Sequence, residues 1–258
     1  MTLPPPLTDL HRLDDQLHRN GFAVLDAASL ATLCGVAPGD FTAWAPEWDD
    51  LPPDGHLRDG GRYRRRRHSC FIATPGAAPA GPALAPVPHR AHWQPVEYNA
   101  LHGGIERWFE PMPAAITAHL AWARLLLSLA ALTARLRQAP AAPWCIEAHP
   151  VRIDTTDGIG RPPPEGAHRD GVDLVAVILV SRVQIKGGET RVFDTRGPQG
   201  VRFTLDEPWS VLLLDDGRVI HESTPIQPAE GAAPGSSHRD TLVLTFRRDA
   251  FQGPGPGV

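Results

Sequence analysis

The chain has 258 residues, 42% hydrophobic and 21% charged, with a formal net charge of −4. That suffices for one sizeable core, and it is too acidic for a nucleic-acid-binding domain, which carries a basic surface. Cys34, Cys70 and Cys145 form no paired framework and no Cys-x-x-Cys, which excludes a disulfide scaffold or zinc ribbon and suits a reducing compartment.

The opening MTLPPPLTDLHRLDD has neither the basic nor the apolar segment of a secretory signal. The most apolar long run, 113–132, is interrupted by His119 and Arg124, so a cytoplasmic protein with no membrane partner is expected. Leu7, Leu10, Leu13 and Leu17 recur at helical spacing over 7–19, behind prolines that forbid an earlier start. Residues 35–60, rich in Pro, Asp and Gly, read as an irregular crossing. RYRRRRHSCFIA then reads as a strand across which Arg64–Arg67 alternate, so two of the four can point inward; a solvated rim is the expectation, and any arginine that lines a cavity would bind a substrate carboxylate. Residues 75–91 read as a mobile Pro/Ala loop. Residues 100–110 and 113–138 read as two helices split by Pro111 and Pro113, the second rich in Ala and Leu with Arg135 and Arg137 at its C-terminal end.

From Trp144 the pattern turns to β. WCIEAHPVRID, GVDLVAVILVSRV, TRVFD, VRFTL, WSVLLLDD, RVIHESTPI and RDTLVLTFRR are separated by turn signals at Asp157-Gly158, Gly187-Gly188, Arg196-Gly197 and Asp216-Gly217. Short strands so spaced imply a barrel or sandwich. A Gly-rich phosphate loop is absent and helices do not alternate with these strands, which disfavours nucleotide-binding α/β folds. One domain is expected over 1–258: a helical and loop part over 1–143, a β core over 144–250 and a Pro/Gly tail over 251–258.

The chemistry is suggested first by His168-Arg169-Asp170, in which residues two apart share one side of an extended segment. The tripeptide recurs at His238-Arg239-Asp240, so context must choose. Two histidines and one carboxylate make a facial triad that leaves positions on Fe(II) open. After Asp170 the chain runs through several strand-like segments to His221, 51 residues on; after Asp240 only 18 residues remain, none of them histidine. His168, Asp170 and His221 are therefore the expected metal ligands, and His238 is not. The plainer reading of His168 is a loop histidine bonded to Asp170. In RDTLVLTFRR, Arg239, Thr241, Val243, Thr245 and Arg247 share a face. Arg239 with Thr241 suits a carboxylate, the guanidinium offering two parallel donors and the hydroxyl a third. Arg247 is the second choice, and an exposed basic strand end is the plain alternative.

His168-x-Asp170, His221 and Arg239-x-Thr241 resemble the Fe(II)/2-oxoglutarate-dependent dioxygenases. PEGAHRDG (164–171), SRVQIKGGET (181–190), DDGRVIHESTPI (215–226) and RDTLVLTF (239–246) are similar, more narrowly, to the bacterial free-amino-acid hydroxylases of the L-isoleucine 4-hydroxylase type. QPVEYNALHGGIERWFEP (94–111) and WCIEAHPVRI (144–153) extend the likeness over roughly 60–250. The resemblance implies a mainly β fold with flanking helices (α+β), built on a double-stranded β-helix (jelly-roll, cupin-like) core. It implies Fe(II), 2-oxoglutarate and O2, with Arg239 on the distal carboxylate of 2-oxoglutarate, and hydroxylation of an aliphatic C–H in a small substrate, a free L-amino acid; a homodimer is an option for the assembly. The alternatives are a cupin-type metal protein without 2-oxoglutarate chemistry and a non-catalytic stress-response binding protein. Glu165, just before the ligands, could pair a substrate amine or brace its loop. Asn99 could contact substrate, or cap a turn. His149, on one side of its strand with Glu147 and Val151, reads as structural, and Cys145 as packing.

Overall fold

The computed structural model describes residues 3–76, 81–233 and 235–254. A 3₁₀ turn, Leu10–Arg12, leads into α1 (Leu13–Asn20), which stops at Gly21. There φ is +74°, and a Cβ would lie 2.7 Å from Val219 Cγ1, so glycine serves both the turn and the close approach. β1 (Phe22–Leu25) follows, then α2 (Ala27–Cys34), capped by the Asp26 carboxylate accepting from Ser29 N at 2.7 Å. After α3 (Pro38–Thr42) come β2 (Arg64–Arg66), β3 (Ser69–Thr74) and β4 (Ala83–Pro86). α4 (Ala114–Thr117) and the long α5 (Leu120–Leu136) precede the β region. That region holds β5 (Trp144–Asp154), β6 (Leu174–Val183), β7 (Ile185–Gly187), β8 (Thr190–Asp194), β9 (Gly200–Phe203), β10 (Val211–Leu214), β11 (Val219–Ser223), β12 (Ile226–Pro228) and β13 (His238–Arg248).

The strands form a jelly roll, as the sequence led one to expect. The major sheet runs β1-β10-β6-β13-β5-β3-β4, with β2 also on β5. A smaller layer consists of β11-β8-β9 and β12-β7. Bridges at His168–His221 and Gly160–Ile226 tie the segment before β6 to that layer. Alternation assigns the two faces of the major sheet. Ile146, Ala148, Leu174, Ala176, Leu242, Leu244 and Phe246 pack against α5 and the tryptophans Trp44, Trp48 and Trp122 in the larger core. On the other face Val24, Val175, Leu212 and Leu214 meet Val192, Phe203 and Val219 of the smaller sheet. The β5 and β13 residues of that second face, away from the helices, are the ones free to line a site.

Several local expectations change. Residues 100–110 are turns rather than a helix, crossed by a bridge from His92 to Arg107. Gly103 explains this: its backbone is so enclosed that a Cβ would lie 2.5 Å from Asn99 O and 2.7 Å from Pro95 O, and a Gly-Gly pair is a poor helix former. The arginine-rich strand breaks at Arg67-His68 into β2 and β3. Leu7 lies outside the helix, bridged to Val24. The loop expected over 75–91 contains β4; its residues 77–80 lie outside the described residues. RVIHESTPI divides into β11 and β12 around Thr224-Pro225, and β1, α2 and β7 had no counterpart in the sequence reading.

Candidate active site

His168, Asp170 and His221 come together: one ligand atom from each lies within 4.8 Å of the others. His168 and His221 pair as an antiparallel bridge, exchanging N–H···O bonds of 3.0 Å both ways. Their ring centroids are 4.4 Å apart, and His221 Nε2 is 3.6 Å from Asp170 Oδ2. The Gly166 carbonyl, 2.9 Å from His168 Nδ1, accepts its proton and leaves Nε2 as a free lone pair. Burial, and then His168, push the His221 imidazole down to about 3, so it is neutral. Burial pushes the Asp170 carboxyl up. A divalent cation between these groups would hold that carboxylate ionised, so the donor set fits Fe(II).

Asp170 is held from several sides. The Asp216 carboxylate, fully buried, accepts from Asp170 N at 2.9 Å, Gly171 N at 2.8 Å and Val172 N at 3.1 Å. Gln94 Nε2 donates to Asp170 Oδ1 at 3.3 Å, while Arg107 Nη2 and Asn99 Nδ2 donate to Gln94 Oε1 at 3.0 and 2.9 Å. Gln252 Nε2 donates to the carbonyls of Asp170 and Gly171 at 2.9 and 3.1 Å.

Two cavities meet at Asp170. The first runs from the triad between Val151 and Ile153 to Arg239 and Thr241. Arg239 is 4% exposed, and its Nε and Nη2 have no hydrogen-bond partner among the described residues. Burial, and secondarily Arg182, push its guanidinium down to about 10, still charged at neutral pH. A buried cation with two donors unused lacks an anion, so this end of the cavity fits the far carboxylate of 2-oxoglutarate. Arg247, the second choice for that role, stands at the other end of β13 on the second cavity.

That second cavity is lined by Arg66, Arg107, Glu147, His149, Val172, Val243 and Phe251, among others. Alternation along β13 thus carries one face under both cavities: Arg239, Thr241 and Val243 on the first, Val243, Thr245 and Arg247 on the second. Of the arginine run, Arg64 and Arg66 are buried while Arg65 and Arg67 point outward, so the expected solvated rim holds for half of it. Burial depresses the imidazoles of His68, to about 3, and of His92 and His149, so all three are neutral. With Glu147 they form a second convergent group of potential ligands. Arg66 Nη2 donates to His149 Nδ1 at 2.7 Å, which leaves the proton of that neutral ring on Nε2, facing Glu147. His92 Nδ1 donates to Glu147 Oε2 at 2.7 Å. Hydrogen bonding therefore accounts for most of this group.

The two substrate contacts expected from sequence are placed otherwise. Glu165 lies 3.4 Å from Tyr63 Oη, whose proton goes to Asp59 at 2.7 Å, and 4.0 Å from Arg161, in its loop outside both cavities. Asn99 is on the wall of the second cavity, but its amide holds Gln94 and His102 N. Sequence reasoning missed Gln94, Arg107 and Asp216, whose nearest sequence signal is their place in the segments carrying the family likeness. It also left Gln252 in the tail, and it read His149 as merely structural.

A jelly roll whose inner face joins a two-histidine, one-carboxylate centre to a buried arginine falls in the class of non-haem iron oxygenases that consume a keto acid. Residues 45–245 match the family model of the 2OG-Fe dioxygenases, and the chain belongs to that family. It is a 2-oxoglutarate-dependent dioxygenase that uses Fe(II), 2-oxoglutarate and O2. Among solved structures it is similar to a bsmA homolog from Methylobium petroleophilum PM1, at 53% identity, with 98% of each chain covered and a TM-score of 0.89. It shares its fold with IDO from Bacillus thuringiensis, at 16% identity and TM-score 0.73, over 94% of this chain and 100% of that one. A 2OG-Fe(II) oxygenase family oxidoreductase from Burkholderia pseudomallei aligns at 14% identity and TM-score 0.56, over 96% of both chains. No curated protein matches the chain.

Proposed function

We propose that this dioxygenase hydroxylates an aliphatic C–H of a free L-amino acid, with His168, Asp170 and His221 holding Fe(II) and Arg239 with Thr241 holding the distal carboxylate of 2-oxoglutarate. The observation that carries the assignment is Arg239: a buried guanidinium, unpartnered among the described residues, at the end of a cavity that starts at the triad. A cupin-type metal protein without 2-oxoglutarate would have no use for it. When bound, iron with 2-oxoglutarate and oxygen supplies the oxidising power, and succinate and carbon dioxide leave as co-products.

The chain's own contribution is placement and dryness. The Asp216 carboxylate and the Gln94 amide fix where Asp170 points. Val151, Val172 and Val243 make the walls near the triad apolar, so water is kept from the reacting carbon. Phe251 and Gln252 of the tail close over the second cavity. The amino-acid reading is supported by that cavity, which offers cationic and anionic groups beside an aliphatic wall. Anaerobic titration with Fe(II) and then 2-oxoglutarate should yield the charge-transfer absorbance of a bidentate keto acid. On admitting air, an amino-acid panel should show which member couples succinate release to a hydroxylated product. A protein that binds Fe(II) but gives no such band at saturating 2-oxoglutarate would remove the reading.

A further inference from the structure

The charges around the second cavity do not balance. Three buried guanidiniums, those of Arg64, Arg66 and Arg107, face two buried carboxylates, those of Asp54 and Glu147. Arg64 is taken by Asp54 at 2.6 Å. Arg66 lies over the Phe109 ring at 4.3 Å and spends Nη2 on His149, while Arg107 spends Nη2 on Gln94. Both leave Nε without a partner among the described residues, and Glu147 leaves Oε1 likewise. The neutral histidines add nothing, and half-buried Arg247 adds a further positive charge on the same wall. At the other cavity Fe(II), Asp170, buried Asp216, 2-oxoglutarate and Arg239 leave one negative charge, which offsets only one of these two excess positive charges. The uncompensated positive charge therefore belongs to the substrate end, where low dielectric makes it costly.

We propose that this cavity is built for an amino acid of net negative charge, a dicarboxylic one, with Arg66 and Arg107 clamping a carboxylate and Glu147 accepting from the ammonium. A neutral zwitterion would satisfy the same hydrogen bonds but leave the excess charge unpaired. The proposal rests on the hydroxylase reading and narrows its substrate. It differs from a metal site at His68, His92 and Glu147, since a second cation would raise the excess charge.

The test measures binding as well as turnover. At saturating Fe(II) and 2-oxoglutarate, without oxygen, L-glutamate and L-aspartate should perturb the charge-transfer band at concentrations at least about tenfold below those needed of L-leucine or L-isoleucine. Calorimetry on the same samples gives the affinities independently. Arg66→Gln and Arg107→Gln should each weaken the dicarboxylic amino acids by about 30-fold or more, the scale of a truncated buried charge pair, and abolish the preference. Arg66→Lys, which keeps the charge, should retain part of it. Glu147→Gln should weaken L-glutamate while sparing glutarate, which has no ammonium. Because the wild-type preference is read first, a variant that fails to fold does not decide the matter. Equal or tighter binding of the neutral amino acids overturns the proposal. So does a second equivalent of metal in the wild type that Glu147→Gln loses. If the band never forms, the hydroxylase reading falls, and calorimetry with the amino acids still decides the subsite.

Discussion

Arg239 and the triad can be separated by experiment, because the proposed function gives them different ligands on one cavity. Arg239→Ala removes a buried charge pair worth roughly 2–5 kcal/mol, so the 2-oxoglutarate requirement should rise by about 30-fold or more. Arg239→Lys should recover only part, since an ammonium lacks the planar fork. Thr241→Val, which keeps the shape and loses a donor, should cost about 1 kcal/mol. Fe(II) affinity without 2-oxoglutarate should be unchanged in all three, as read by anaerobic titration. His168→Ala or Asp170→Ala should instead abolish tight Fe(II) binding, because two ligands hold an exchangeable ion poorly. His238→Ala should leave it intact. His238 Nε2 lies 3.5 Å from an Asp240 carboxylate that Arg152 and Ser181 already hold at 2.7 and 2.8 Å. A His238→Ala protein without iron would reverse the choice between the two His-Arg-Asp tripeptides.

At the scale of elements, the turn over Asp170–Val172 has little regular structure of its own and is set by Asp216, from the turn between β10 and β11. Asp216→Asn has one acceptor oxygen where two now serve three N–H groups, and it turns an NH2 toward a donor. We expect about 1–3 kcal/mol of lost stability, and Fe(II) affinity lower by about 10–100-fold, the usual scale for groups that orient a ligand. Thermal unfolding and Fe(II) titration measure the two. Unchanged metal affinity would mean that Asp170 is placed by Gln94 and the bridge to His221 alone. The same logic explains which elements could be read in advance. β5, β6 and β13 were legible because residues alternate between the helix-packed core and the cavity, a period-2 signal contained in each strand. The segment 94–110 was not, since its turns are dictated by Gly103 packed under Pro95 and Asn99, a contact that apolar spacing does not encode.

For the whole molecule, the buried imidazoles set a pH limit. His68, His92, His102 and His149 are held neutral, their pKa depressed by burial, whereas in the unfolded chain each titrates near about 6.5. Between that value and the folded pKa the unfolded state binds more protons, so stability is complete above pH 6.5 and is lost as pH falls. Each imidazole contributes a slope of about 1.4 kcal/mol per pH unit there, and four give about 5–6, less an opposing contribution from Asp216, whose carboxyl burial raises. Denaturant midpoints of the iron-loaded protein from pH 8 to 5 should show this fall, and His149→Gln should remove about a quarter of it. A flat profile would mean the histidines are already charged in the native state.

Alternation within single strands sufficed for a barrel or sandwich, and the family resemblance supplied the jelly roll; the sequence also named His168, Asp170, His221 and Arg239, which the fold brings to one cavity. The sequence did not determine which of four consecutive arginines face inward, that Glu147 and His149 line the second cavity, or that Asp216, Gln94 and Gln252 hold Asp170. Those groups arise from β2, β5, the 92–107 turns and the tail, far apart in the chain. Charge compensation acts through space at a few ångströms, and only the folded packing decides which charges share one dry cavity.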